Sequence, residues 1–358
     1  MVKDISKPGT QRPHMQVSSF THIDPFRKDP NYPALQRYLG EWPDSHFFQS
    51  PEFLEFIEKV PGYQPVLLLA TGADGEFKGS ILGVVQADGK GPKSWFSRRM
   101  IVWGGPVVAP GTEKEQLETA GTLLKALKRN ARGKAIYIEF RNYFDTSPMR
   151  AAFEANGFEY KEHLNLLVKL GDEESVLKRM GRDRKRQVRI SLETGAEVRE
   201  PVNEEEVREL YDMLDKLYRE RVKKPLPDFG LFRQFWTSPN GKMFIVVYNG
   251  KVMGGAAGPI YRNKTVYQWY LCGENGVVKN LHSSVLATWG QIDFGIKNGY
   301  ELFDFMGAGK PDEAYGVREF KASFGGELVS HGRYEMILSP ILYKVGKFGL
   351  KIYHKLPK

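Results

Sequence analysis

Apolar and polar positions alternate with two periods along this chain, and the switches between them lay out its elements. In SPEFLEFIEK, Phe53, Leu54 and Ile57 fall on one helical stripe behind Ser50, which can cap the helix, and Pro51, which suits its first turn. Apolar runs then predict strands at Gln64–Thr71, Lys78–Gln86 and Met100–Val108, separated by ADGEFKG and a GKGPK turn. Leu117, Ala120, Leu123, Leu124 and Leu127 recur at helical spacing and predict a helix over 113–132. A strand AIYIEFR, a helix over 147–156 and a strand over 164–170 follow. Residues 1–45 are Pro-rich and weakly periodic, and read as an irregular lead-in with one strand at 16–21.

The second half repeats this order. It predicts a basic helix over 176–194, helices over 204–222 and 228–236, and strands over 242–248, 252–261 and 265–272. A helix over 283–298, a strand over 301–305, a short helix carrying Arg318 to Lys321 and a last strand over 328–338 complete it. The repetition extends to residues. Gly75, Gly79 and Gly83 of GEFKGSILG match Gly250, Gly254 and Gly258 of GKVMGGAAG, and MRAAFEANGFE matches VREFKASFGGE, at offsets of 175 and 168. The expectation is a tandem duplication of mixed α/β units with mixed sheets: residues 1–168, residues 169–338, and 339–358 packing back on the first unit.

Composition changes this picture little. A chain of 358 residues with 41% hydrophobic content suits two globular units. The apolar runs are far shorter than the roughly 20 residues of a membrane span, and the N-terminus lacks the apolar core of a signal peptide, so a cytoplasmic location is expected. The single cysteine, Cys272, lies in the strand-like YQWYLC and reads as a small buried hydrophobe. HExxH, GxSxG, a P-loop and GxGxxG are all missing, and the histidines show no ligand spacing, so metal catalysis, a serine triad, ATP hydrolysis and nicotinamide binding are not expected.

Charge adds two features to a net +9. LKRMGRDRKRQVRIS sets Arg184, Lys185, Arg186 and Arg189 with their basic neighbours against one acid, Asp183; such clustered cations suit phosphate or RNA, although a solvated helix face would read the same way. The C-terminal SPILYKVGKFGLKIYHKLPK holds five lysines, no acid and interleaved apolar residues. It fits either an anionic membrane surface or a closing helix packed on the first unit.

The repeat also singles out one lysine. Its alignment pairs Arg150 with Arg318 and Gly157 with Gly325, but Phe153 with Lys321, so an aromatic position of the first copy is an amine in the second. A lysine facing a core is costly unless something polar meets it. A one-residue slip would instead give Phe320 the core role and leave Lys321 in solvent.

FFQSPEFLEF, WGGPVV, RDRKRQVRISLETG, the YRER that ends in Arg221, and FDFMG with GVREFKASFGG together resemble the Fem family of non-ribosomal peptidyltransferases. That resemblance implies two tandem GNAT-like domains and aminoacyl transfer from aminoacyl-tRNA, as co-substrate, to an amine of a nucleotide- or lipid-linked peptidoglycan precursor. It implies catalytic roles for Lys321 and Tyr270, and substrate binding by Arg221, Phe320, Arg318, Asp304, Trp103 and Gln49. Peripheral contact with the inner membrane face through the basic C-terminus would fit a lipid-linked acceptor. N-acyl transfer from acyl-CoA or an acyl carrier protein to a polysaccharide or lipid is a second reading, although GENGVVKNLHSS lacks the Q-x-x-G-x-G turn of acetyl-CoA sites.

Overall fold

The computed structural model describes residues 15–87, 97–313 and 315–355, with side chains up to residue 348. The GKGPK turn lies outside the described residues. The first half contains β1 (Gln16–Phe20), α1 (Ile23–Arg27), α2 (Tyr32–Glu41), α3 (Pro51–Ile57), β2 (Tyr63–Thr71), β3 (Phe77–Gln86), β4 (Arg99–Trp103) and β5 (Val107–Val108). It continues with α4 (Glu113–Ala131), β6 (Tyr137–Arg141), α5 (Arg150–Ala155), β7 (Glu159–Lys161) and β8 (Leu164–Lys169). The second half has α6 (Glu173–Arg179), α7 (Arg182–Glu193), β9 (Glu197–Arg199), α8 (Glu204–Leu217), α9 (Phe229–Thr237), β10 (Gly241–Tyr248), β11 (Lys251–Tyr261), β12 (Thr265–Tyr267) and β13 (Tyr270–Gly273). Then come α10 (Ser283–Lys297), β14 (Leu302–Gly307), α11 (Gly316–Ala322), β15 (Glu327–Ser330), β16 (Arg333–Ile337) and α12 (Pro340–Lys355).

Two eight-stranded mixed sheets result. The first runs β1-β2-β3-β4-β6-β16-β7 with β5 on β3, and the second β15-β8-β14-β12-β11-β10-β9 with β13 on β11. Helices α4 and α5 cover the outer face of the first sheet over Ile138 and Phe140, with Phe153 of α5 packed against them. Helices α6, α7 and α10 cover the outer face of the second. Between the sheets lies one shared apolar core, to which α1–α3 bring Phe26, Leu39 and Phe53, and α8 and α9 bring Leu210, Phe232 and Phe235.

The sheets exchange their last strands. β8 enters the second sheet between β14 and β15, and β16 enters the first between β6 and β7. The expected boundary at residue 168 therefore cuts through a strand of the second sheet, and the single strand expected over 328–338 is two strands in different sheets. In both copies a two-residue link makes the crossing, Glu162–His163 and His331–Gly332, and the links touch where Gly332 N–H donates to His163 O at 3.2 Å. Gly332 adopts φ +70 there, a left-handed turn that the apolar pattern of the strand conceals.

The repeat is visible in the backbone. Gly75 and Gly250 have φ of 82 and 75, and Gly157 and Gly325 have 81 and 85. Both copies split the strand expected after the hairpin: Gly104 and Gly105 at positive φ separate β4 from β5, while Gln268 and Trp269 separate β12 from β13. Three other expectations change. Residues 22–41 are not irregular, because Pro33 occupies the first turn of α2 and Leu35 and Leu39 are buried one turn apart. The basic helix breaks at Met180–Gly181, since Asp172 caps α6 and Gly181 begins α7. The helix expected over 204–222 ends at Leu217 and continues as a π-turn through Val222. At the C-terminus, α12 lies on the first sheet, where Tyr343 O–H donates to Glu335 and its ring meets Tyr137 edge-on at 5.5 Å.

Candidate active site

The second sheet opens at one point. β12 and β14 run parallel through the pair Tyr267↔Asp304, after which β13 remains with β11 while β14 bulges. The bulge falls between Asp304 and Gly307, with Met306 at φ 59, and leaves carbonyls without ladder partners. α11 supplies what is missing: Lys321 Nζ donates to Phe305 O and to Gly307 O, both at 2.7 Å. Lys321 thus turns inward, and the one-residue slip does not occur. An ammonium has three protons, and no third protein acceptor meets this one among the described residues.

The first copy has neither feature. β6 pairs with β16 without interruption, and Phe153 stacks on Tyr334 at 3.8 Å and meets Phe140 edge-on at 4.9 Å. The bulge and the lysine occur together in the second unit, in place of an aromatic stack. Burial pushes Lys321 down to about 8, with Asp304 pulling the other way. Burial also raises the Asp304 carboxyl to about 7, against the Met306 amide, which donates to it at 2.5 Å, and the Lys321 charge. Near neutral pH the site therefore holds two groups poised close to their titration points, one of them an enclosed cation.

The other expected residues divide between site and scaffold. Phe320 is half-buried on Phe324, with the Arg184 guanidinium 4.9 Å from its ring centre. Arg318 donates to the carbonyls of Ala308, Lys310 and Pro311 and fastens the loop between β14 and α11. Tyr270 lies in the shared core against Phe232 at 4.8 Å, where burial drives its hydroxyl well above the ordinary range. No hydrogen bond or charge interaction joins Tyr270 to Lys321 among the described residues. Trp103 is also buried in that core, 5.3 Å from Trp269.

Gln49 is fully buried, and its amide accepts from Leu82 N–H while donating to Leu82 O and Trp103 O. It fills the gap where β4 and β5 part from β3, so its contacts are those of a backbone strut rather than of a ligand-binding side chain. Arg221 is exposed on a groove of about 330 Å³ shared with Cys272, Gly273 and Asn275, whereas Arg219 pairs with Asp215 at 3.0 Å. In the basic cluster Arg184 is turned inward, donating to Ser323 Oγ at 2.8 Å, and Arg189 pairs with Glu193. Lys185 and Arg186 have no side-chain partner among the described residues.

The sequence pattern did not single out Glu139, Arg141, His163 and Arg333: His163 and Arg333 lie beside Gly307 at the crossing of the two links, and Arg333 shares Glu139 with Arg141. The available signal was the spacing of Glu139 with Arg141 and of Arg333 with Glu335. Charges two apart in a strand share one face.

Residues 178–321 match the family described as Acetyltransferase (GNAT) domain. Among solved structures, FemX superposes with a TM-score of 0.64 at 16% identity, over 88% of this chain and 98% of its own. This is a Fem-like tandem GNAT fold. A tandem GNAT protein from the clavulanic acid biosynthesis pathway aligns over 91% of this chain and 99% of its own, with a TM-score of 0.58 at 11% identity. L-PGS from Bacillus licheniformis covers 92% of this chain and 98% of its own, at 0.51 and 14%. No curated protein matches the sequence. In GNAT terms, the second unit keeps the opened sheet with Lys321 at its bulge, while in the first the corresponding gap holds the Gln49 amide.

Proposed function

We propose that this protein is an acyltransferase that forms an amide bond by moving an aminoacyl group from aminoacyl-tRNA to an amine of a peptidoglycan precursor. The observation that carries this reading is the enclosed Lys321 ammonium at the β14 bulge, in the unit that matches the GNAT family. When the amine attacks the donor ester, the carbonyl oxygen gathers negative charge, and a cation fixed nearby lowers the barrier. The amine loses its proton and the tRNA ribose hydroxyl leaves with one, so the activated ester is the only energy source needed and no further cofactor is invoked. Lys185 and Arg186 on α7 are candidates for the tRNA phosphates, and Arg221 for those of the precursor. The shared fold with FemX and L-PGS supports an aminoacyl donor.

The match to an acetyltransferase domain favours acyl-CoA as the second reading. The two are separated by offering the protein tRNAs charged with labelled amino acids, or labelled acetyl-CoA, with a nucleotide-linked precursor. Label passing from tRNA to the precursor amine is the expected result. Labelling by acetyl-CoA alone would replace the first reading with the second.

A lipid-linked precursor would require the protein to work at a membrane. Among the described residues no helix is long and apolar enough to cross one. On α12, however, Ile341, Val345 and Phe348 are 77%, 46% and 66% exposed along one stripe, with Lys344 and Lys347 between them. That pattern suits the surface of an anionic bilayer. Binding to phosphatidylglycerol vesicles should weaken with salt, and Phe348→Asp should lower it about tenfold. Equal binding of that variant would remove α12 from the membrane contact.

A further inference from the structure

On the face of the first sheet that carries Trp103, two cross-strand arginines share one carboxylate oxygen. Arg141 Nε donates to Glu139 Oε1 at 2.5 Å and Arg333 Nη1 donates to the same atom at 3.1 Å. Arg141 and Arg333 are directly opposed in the β6–β16 ladder, a placement in which like charges repel. Arg99 adds its field to the group. A single ion pair would satisfy Glu139, whose carboxyl these cations hold down at about 2, so the cluster carries more positive charge than its own acid needs. The acid of β16, Glu335, is already engaged by Lys161 at 2.7 Å and by Tyr343.

The cluster opens to solvent, with the Arg141, Arg333 and Glu139 side chains 33%, 27% and 17% exposed. Its position relative to the bulge is fixed: a Cβ on Gly307 would lie 3.4 Å from Arg333 Nη2 and 3.0 Å from His163 Cε1. Gly307 O is also one of the two acceptors that hold Lys321. Burial and then the Arg141 charge bring Arg333 down to about 10, while burial and then Arg333 bring His163 down to about 4. The buried indole N–H of Trp103, with the Arg141 guanidinium 5.8 Å from its ring centre, has no acceptor among the described residues.

We propose that Arg141 and Arg333 form a receptor for an oxyanion, a carboxylate or phosphate of the acceptor, next to Gly307, whose carbonyl holds Lys321, so that the acceptor amine is positioned by its own negative charge. This rests on the acyl-transfer reading and narrows its acceptor to a molecule that carries an oxyanion near the reacting amine. Arg141 and Arg333 act as positioning residues, through forked donor pairs suited to either anion.

The test is calorimetric titration of the full chain with inorganic pyrophosphate, with N-acetyl-alanyl-alanine, and with the C-terminal amide of that dipeptide. The expected result is saturable binding of pyrophosphate or the free-acid dipeptide, which distinguishes phosphate from carboxylate, and none of the amide. Arg141→Gln and Arg333→Gln should each weaken binding about tenfold, the scale of a lost charge-assisted hydrogen bond. Arg129→Gln, on α4, should change nothing. Glu139→Gln removes the internal competitor and should tighten binding, a gain that misfolding does not produce. No binding to the unsubstituted protein, equal binding of the amide, or unchanged affinity in both arginine variants would overturn the receptor. Lys321→Met is expected to lower transfer about a hundredfold or more and leave anion binding in place. Loss of the reaction reading with binding retained is therefore a separable outcome.

Discussion

Lys321→Met should lower the rate of acyl transfer about a hundredfold or more while the protein remains folded. Methionine keeps the length of the side chain but removes the charge, and one lost electrostatic contact to a developing oxyanion costs about 10²–10³ in rate. The carbonyls of Phe305 and Gly307 lose their donor, a structural cost of about 2 kcal/mol that melting curves would register. Two measurements separate the catalytic role from a purely structural one. In the unsubstituted protein kcat should fall as pH rises through about 8, where Lys321 loses its proton. In Lys321→Arg the cation persists far above that pH, so the alkaline fall should move away even if the rate is reduced. Near-normal turnover by Lys321→Met would end the assignment.

Gln49→Leu should instead act on stability, lowering it by about 3 kcal/mol or more. The amide meets Leu82 N–H, Leu82 O and Trp103 O inside the shared core. Leucine leaves all three unpaired, and each buried orphan costs about 1–3 kcal/mol. The Gly105 backbone closes against the same amide, so tightly that a Cβ at Gly105 would lie only 2.9 Å from Gln49 Oε1, and the neighbourhood has little room to rearrange. Chemical denaturation of the variant measures the loss directly. An unchanged denaturation midpoint with a raised KM would restore Gln49 to the substrate site implied by the Fem resemblance.

These two residues also mark how far the sequence could be read. Lys321 was legible because the duplication supplied an internal comparison: the same helix in the first copy carries Phe153, and Gly157 and Gly325 pin the register with matching φ. Gln49 was not, because its partners lie 33 and 54 residues away. Nothing in FFQSPEFLEF distinguishes an amide that braces a split strand from one that binds a ligand. The contacts of Arg184 were hidden for a related reason. A run of cations looks like a solvated or phosphate-binding face until Phe320, Phe324 and Ser323, far along the chain, are seen to take one of them.

By itself the sequence determined most of the local elements, their order and their repetition, because periodicity, caps and turn glycines act within a few residues. It also determined that one copy has an amine where the other has an aromatic. Only the tertiary structure decided where the last strand of each copy goes, because a strand's pattern records which face is buried and not which sheet edge it completes. That exchange sets Arg333 of β16 opposite Arg141 of β6 and brings Arg333 and His163 beside the Gly307 bulge of the second sheet. The proposed receptor is therefore assembled from both halves of the chain, through contacts between residues that no local rule relates.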